Sequence, residues 1–152
     1  SPDNKEGRNL SLENLATIFP SETYDLYNLQ YGDKEKDIKN LYDNLNREII
    51  VFDDLDYKND FEKIAGLITN LDIIASNYTF MAYFAGSLGA HTFVFVPLSV
   101  RWPFHTHSPR KRSLWFPSMS LIKQIKLHNW DDAYKELKIK ISSNNQKILN
   151  KL

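Results

Sequence analysis

The chain of 152 residues contains no cysteine, which excludes disulfide bonds, thiolate nucleophiles and cysteine-ligated metal sites. Glycine is also sparse, with five residues, and none of them forms the glycine-rich repeat of P-loops or dinucleotide-binding folds. No apolar run is long enough to cross a membrane, and the first residues are polar, unlike a secretory signal. From these absences we expect one globular domain over residues 1–152, without a membrane span and located in the cytoplasm.

Acidic residues are absent from one long stretch of the sequence. Residues 1–72 contain 16 acids and 8 bases, whereas residues 73–130 contain six bases and no Asp or Glu, so the formal net charge of zero hides an uneven distribution. An acid-free stretch of 58 residues favours an anionic ligand nearby. The alternative is that much of the stretch is buried apolar sequence, which holds no charge of either sign.

The apolar residues recur with periods that predict helices alternating with strands. Helices are predicted at 10–19, 34–45, 61–70 and 80–88, and from residue 130 onward. Strands are predicted at 24–29, 48–53, 71–76, 92–97 and 119–124. Strands that alternate with helices usually pair in parallel through right-handed crossovers. The sequence therefore predicts an α/β fold with a Rossmann-like, doubly wound, mainly parallel sheet.

The predicted order of elements begins with a helix, although a doubly wound sheet usually begins with its central strand. We therefore expect that the chain is the C-terminal part of a longer protein and that the first strand is missing from it. A sheet without its middle strand would leave backbone groups unpaired. A second copy of the chain that supplies a strand, in a homodimer, is one way to pair them.

The stretch from Leu71 to Gly89 reads as a buried strand, a short turn and a helix that ends at glycine. Asn77, Tyr78 and Thr79 form the turn, and either Asn77 or Thr79 is suited to cap the helix. A helix N-terminus at the carboxyl edge of a parallel sheet presents free backbone N–H groups and a positive dipole end. The turn is thus a candidate anion site, and the alternative is an ordinary βα unit without a ligand.

A loop of twenty residues, 98–117, follows the predicted strand 92–97 and contains two of the three tryptophans. Arg101 and Trp102 lie close to the end of that strand, so we expect them at the same edge as the candidate anion site. Arginine binds phosphate in a bidentate manner and tryptophan stacks on a base or sugar. The alternative is a solvated arginine beside a tryptophan that anchors the loop. No metal site is predicted, because the loop histidines have no acid or cysteine nearby.

Several short blocks of the sequence resemble the C-terminal domain of bacterial glycosyltransferase-like proteins related to the heptosyltransferases, which often follow tetratricopeptide repeats. The most specific blocks are Ala85-Gly-Ser-Leu-Gly89, Arg101-Trp102 and Ser113-Leu-Trp-Phe-Pro-Ser-Met119, and weaker ones include 1–11, 28–32 and 64–72. The resemblance implies one half of a GT-B fold, in which two Rossmann-like domains face each other. It also implies that this half binds a nucleotide-sugar donor, as substrate and without a further cofactor, while an N-terminal domain of the parent chain holds the acceptor.

The resemblance also implies which residues meet the donor. The candidate donor-binding residues are Gln30, Tyr31, Asn77, Tyr78, Thr79, Phe80, Met81, Tyr83, Arg101 and Trp102. The backbone N–H groups of Phe80 and Met81, with Thr79, would hold the diphosphate, although packing of both side chains on the sheet is the simpler interpretation. The chain departs from the family at three positions: Tyr31 replaces a lysine, Tyr78 an aspartate and Tyr83 a histidine.

Two hypotheses for the function follow. In the first, the chain is the donor-binding domain of a glycosyltransferase that moves a sugar to an acceptor hydroxyl by stabilising the departing nucleotide diphosphate. In the second, it is a non-catalytic binding or interaction module that kept the fold, because tyrosine supplies no charge at pH 7. The sequence leaves the catalytic residues unassigned and so leaves open whether the chain is an enzyme. A nucleic-acid partner is not expected, because the short basic run 110–112 has no aromatic residues among its cations.

Overall fold

The structure is a computed structural model that describes residues 10–32, 34–98 and 112–149, with side chains as far as Ser143. The described elements are α1 (Leu12–Ala16), α2 (Glu35–Leu45), α3 (Phe61–Asn70), β1 (Ile74–Asn77), α4 (Phe80–Ser87), β2 (Thr92–Val96), β3 (Met119–Lys123) and α5 (Asp131–Leu149). Among the described elements, strands and helices alternate from α3 to β2, whereas α1, α2 and α3 follow one another and β3 follows β2 directly. The alternation agrees with the α/β class predicted from the sequence.

The three strands form an open sheet in which every neighbouring pair is parallel. The spatial order is β1-β2-β3, with Ile74 opposite Thr92 at the start of one pairing and Thr92 opposite Met119 at the start of the other. All five residues of the central strand β2 are buried. A parallel strand buried on both faces carries a continuous apolar run rather than an alternating one, and Phe93-Val-Phe-Val96 is such a run.

Helices cover both faces of this sheet. On one face Ala82 of α4 packs in a cluster with side chains of β2 and β3, among them Val94 and Leu121. On the other face Leu137 of α5 packs in a second cluster with Phe95. The full second cluster contains Ile18, Phe19, Phe93, Phe95, Ile122, Trp130, Ala133, Leu137 and Ile141. The structure is therefore an α/β fold with an open all-parallel sheet, consistent with the Rossmann-like fold that the sequence predicts.

The two strands predicted nearest the amino terminus are much less regular than expected. Segments 24–29 and 48–53 meet at one parallel bridge between Tyr27 and Ile50 and form no longer ladder. Two hydrogen bonds make the bridge: the Asn28 N–H donates to the Ile50 carbonyl (2.9 Å), and the Ile50 N–H donates to the Leu26 carbonyl (2.7 Å). We call these two extended segments the ribbon. The number of domains and the expected absence of a first strand stay predictions.

Candidate functional site

The turn that joins β1 to α4 lies at the carboxyl edge of the sheet, as predicted. Asn77 ends β1 and Thr79 is the N-cap of α4, with an extended backbone at φ −136° and ψ 173°. Because α4 begins one residue after this extended backbone, the N–H groups of its first turn have no preceding carbonyl within the helix. The structure thus places the predicted turn where the carboxyl ends of parallel strands present ligand sites.

The side chain of Thr79 does not cap α4. Its hydroxyl hydrogen-bonds the Asn77 carbonyl (3.4 Å) and lies 3.4 Å from the Ser76 hydroxyl, while no side-chain cap bond to the helix is made. The first turn of α4 also carries no acidic residue. A helix N-terminus that lacks both a side-chain acceptor and a carboxylate keeps its positive partial charge for an external anion.

Tyr78 and Tyr83 lie together on the α4 face of the sheet. Their ring centroids are 5.9 Å apart, and the Tyr83 ring meets Phe116 edge-on at 6.3 Å. Burial, and then the hydrogen bond to Tyr78, raise the pKa of the Tyr83 hydroxyl well above its usual range. Both side chains pack against the cluster of Ala82, Val94, Val96, Met119 and Leu121. The two tyrosines therefore form a half-buried, hydrogen-bonded pair at this edge.

Phe80 and Met81 occupy different surroundings. Met81 is half-buried and packs on the cluster formed by Ile64, Ile68, Ile74 and Ala85, as the simpler interpretation predicts. Phe80 is 60% exposed, stacks on Phe84 with centroids 5.7 Å apart and meets Phe61 edge-on at 5.7 Å. The prediction that Phe80 packs on the sheet is wrong, because its ring lies at the surface against Phe61 of α3 and Phe84 of α4.

Gln30 and Tyr31 lie in the amino-terminal part of the chain, beside the ribbon. Gln30 lines an open groove of about 850 Å³, whereas Tyr31 is 66% exposed. The groove is lined by Asn28, Gln30, Gly32, Lys34, Glu35, Ile38, Lys39, Tyr42, Arg47, Glu48, Ile49, Ile50, Val51 and Tyr57. None of the residues from the β1–α4 turn lines this groove. Two groups of candidate donor-binding residues thus belong to two different surfaces, and Arg101 and Trp102 lie outside the described residues.

The carboxyl end of β3 contributes polar residues that the sequence interpretation did not select. Gln124 is buried, and its Oε1 accepts a hydrogen bond from the Leu98 N–H at 3.1 Å, while its Nε2 has no partner among the described residues. Burial lowers the pKa of the Lys123 ammonium. Because strand side chains alternate between faces, Lys123 lies on the α4 face with Tyr78. The end of the predicted strand 119–124 was the signal that could have identified both residues.

The described residues contain no group of three His, Asp or Glu side chains that could hold a metal ion. None of the helices in the same part of the chain is long and apolar enough to cross a membrane. No protein-family model matches the chain, and no similar curated protein or solved structure was found. The relation to glycosyltransferase-like proteins therefore stays a prediction from the sequence blocks.

Proposed function

We propose that the chain binds the diphosphate of a nucleotide-sugar at the N-terminus of α4 and serves as the donor-binding domain of a glycosyltransferase. The observation that carries this proposal is the uncapped, acid-free first turn of α4 at the carboxyl edge of an all-parallel sheet. Free N–H groups and the helix dipole together favour a phosphate at such a position.

Two further features support an anionic ligand at this edge. Residues 73–130 contain no acid, so no carboxylate of that stretch repels a phosphate. Lys123 also lies on the same face of the sheet, although one strand, β2, lies between its strand and the turn. The choice of a nucleotide-sugar among anions comes from the resemblance of the sequence blocks.

The residues of the turn suggest how sugar transfer would be assisted. When the bond between sugar and diphosphate breaks, negative charge accumulates on the departing phosphate oxygens. Backbone N–H groups of Phe80 and Met81 would stabilise this charge, and preorganised donors of this kind are worth several kcal/mol in enzyme sites. The acceptor hydroxyl and any general base would come from another domain, because no carboxylate or histidine lies within the turn from Asn77 to Met81.

A specific observation favours a second function, a non-catalytic binding module. Tyr78 and Tyr83 hydrogen-bond each other and pack on the hydrophobic cluster beneath α4. A tyrosine pair satisfied in this way stabilises the fold and contributes no charge to a reaction. Under this alternative the turn still binds an anion, but no sugar is transferred.

Substitution of Thr79 tests anion binding without damage to the fold. In Thr79→Asp a carboxylate occupies the N-cap, which usually stabilises a helix, but the same charge repels a phosphate. We expect the melting temperature to stay or rise while the affinity for ADP, UDP or GDP falls at least about tenfold, a cost of about 1.4 kcal/mol. Isothermal titration calorimetry measures the affinity, and thermal unfolding measures the stability.

Thr79→Asn is the matched control, because asparagine caps a helix as well as aspartate does and carries no charge. Tighter binding by the asparagine variant than by the aspartate variant assigns the effect to electrostatics at the turn. If no nucleoside diphosphate binds the unsubstituted chain, the proposal is wrong. To separate the two functions, sugar transfer is then assayed in the full-length protein, with the native sequence and with Tyr78→Asp/Tyr83→His. Transfer by the doubly substituted form alone supports the non-catalytic module.

A further inference from the structure

The outer side of the ribbon presents backbone groups that have no partner among the described residues. Both backbone groups of Ile50 bond to the segment that contains Leu26 and Asn28. Since successive residues of an extended chain direct these groups to opposite sides, those of Ile49 and Val51 face outward. No backbone hydrogen bond of Ile49 or Val51 is found within the described part of the chain. Residues 49–51 therefore form an open strand edge.

The side chains around this edge are apolar and partly exposed. Ile50, Val51 and Phe52 are 37%, 38% and 40% exposed, and the Phe52 ring stacks on Tyr27 at 6.1 Å. β-Branched and aromatic residues are the types that stabilise paired strands. Natural proteins usually protect such an edge with charges, proline or a covering element, because an open edge pairs readily with another chain. Residues 49–52 contain neither a charge nor a proline.

Two copies of the segment around this edge are complementary to each other when they run antiparallel. In an antiparallel pairing centred on Ile50, Ile49 lies opposite the partner's Val51, and Val51 lies opposite the partner's Ile49. Both of these pairs are hydrogen-bonded pairs. The same register brings Arg47 close to the partner's Asp53, the first residue of the turn that the Leu55 N–H and the Phe52 carbonyl close, so opposite charges lie near both ends of the paired segment. Arg47 is half-buried and donates one hydrogen bond, from Nη2 to the Tyr24 carbonyl. It forms no ion pair with any described acid, and its Nε has no hydrogen-bond partner there, so the guanidinium can still accept a carboxylate of the partner.

We propose that two copies of this chain associate through antiparallel pairing of residues 48–52 about a two-fold axis at Ile50. The outward N–H and C=O groups of Ile49 then bond to those of the partner's Val51, and those of Val51 to the partner's Ile49. The open edge of residues 49–51 in each copy is thereby covered by the other copy. This interface joins identical surfaces and closes after two copies, unlike the open-ended stacking of an aggregating edge. It does not depend on the proposed function, because it uses the ribbon and not the β1–α4 turn.

The absence of cysteine makes the register directly testable. In the proposed pairing the two Ile50 residues face each other as a non-hydrogen-bonded pair, with α-carbons about 4.5 Å apart, a distance that a disulfide bond can span. Mild oxidation of Ile50→Cys is therefore expected to give a covalent dimer on a non-reducing gel. Glu48→Cys is the matched control and should stay monomeric on the gel, since each Glu48 faces the partner's Phe52. Mixing Glu48→Cys with Phe52→Cys should restore the covalent dimer.

A second variant tests the hydrogen bonds. Val51→Pro removes an N–H group that bonds to nothing within the described chain, so the fold should survive, while two bonds of the interface are lost. We expect dissociation of the dimer to become at least about tenfold easier by light scattering or sedimentation, and Val51→Ala, which keeps the N–H, should remain dimeric. A monomer of 17.8 kDa at all concentrations, aggregates without a defined size, or equal cross-linking at positions 48 and 50 would each overturn the proposal.

Discussion

Two regions of the molecule contain similar apolar segments and use them differently. In the sheet region, residues 61–98 and 112–143, the segment Phe93-Val-Phe-Val96 is completely buried at the centre of the sheet. In the amino-terminal region, residues 20–60, the segment Ile49-Ile-Val-Phe52 has a single bridge and stays partly exposed. Among the described residues of the amino-terminal region, Leu41 is the one that is buried.

The difference shows that neighbouring strands and packed helices, and not the strand-forming composition of a segment, decide where a β-ladder forms. β2 has a parallel neighbour on each side and a helix on each face, so all its side chains contact other side chains. The segment 49–52 has a neighbour on one side, and an open groove separates part of it from α2. Strand preference largely reflects packing against neighbours, and such neighbours are few in the ribbon.

The largest expected effect compares one substitution in the two regions. Phe95→Ala should destabilise the protein by about 3–5 kcal/mol, because the Phe95 side chain is only 1% exposed. Its ring centroid lies 5.8 Å from that of Trp130 and 5.6 Å from that of Tyr134. Phe52→Ala should cost less than about 1.5 kcal/mol, because the ring is 40% exposed and its stacking on Tyr27 is the main loss. Urea unfolding followed by tryptophan fluorescence measures both costs.

Equal costs for the two phenylalanines would contradict the comparison, since they would mean that the ribbon is packed as tightly as the sheet. In a stable dimer the cost of Phe52→Ala also depends on protein concentration, so the measurement belongs below the dissociation constant. Phe93→Leu is a control that keeps most of the buried volume. It should cost less than Phe95→Ala because fewer contacts are lost.

The second prediction concerns two helical glycines that differ only in their surroundings. A β-carbon at Gly86 would lie 2.5 Å from Cε of Met119 and 2.8 Å from Cγ of Phe116, whereas one at Gly66 would meet nothing within 4 Å. Gly86→Ala should therefore destabilise the protein by about 1–3 kcal/mol. Gly66→Ala should stabilise it by about 0.5–1 kcal/mol, the ordinary preference for alanine in a helix. Thermal unfolding measures both, and the same sign for both would contradict the tight contact beneath α4.

The elements of the sheet region were predictable from the sequence to within a few residues. The predicted strands 92–97 and 119–124 correspond to Thr92–Val96 and Met119–Lys123, and the helix predicted at 61–70 is found with the same ends. These segments carry strong local signals, such as the cap of Asp60 on the Lys63 N–H. The sequence predicts full strands in the ribbon, where the structure has a single bridge. Apolar alternation indicates that a segment is able to pair as a strand, but it does not indicate whether a partner strand is present.

The candidate site was predictable only where it follows from local structure. Thr79 and Phe80 were placed at a helix N-terminus, because a strand followed by a short turn and a helix fixes that position. The separation of Gln30 from the same turn could not be read from the sequence, since it depends on how distant segments pack. Gln124 was missed because a polar residue at a strand end is usually solvent-exposed, whereas here it is buried and bonds to Leu98.

The third prediction tests whether the two regions unfold together. Asn46 ends α2 with φ 48°, and His128 lies between β3 and α5 with φ 58°. Glycine adopts this left-handed conformation without steric cost, so His128→Gly should stabilise the protein by about 0.5–1 kcal/mol and Asn46→Gly by less, because asparagine tolerates it. If both substitutions raise the same calorimetric transition, the regions unfold as one unit. Two separate transitions, one raised by His128→Gly and the other by Asn46→Gly, would mean that the amino-terminal region unfolds separately.

The smallest expected effect is a dependence of stability on pH that originates in the sheet region. The His91 side chain is exposed, but its ring centroid lies 4.9 Å from that of Phe93. Partial desolvation of this ring, and then the positive charge of Arg112, lower the pKa of His91 below its usual value. Between that lowered pKa and about 6.5 the unfolded chain binds more protons than the folded one, so stability should fall as the pH is lowered through this window. His91→Gln should flatten this part of the pH profile of the free energy of unfolding. Arg112→Gln should move the His91 midpoint upward in an NMR titration, and an unchanged midpoint would show that burial alone sets the pKa of His91.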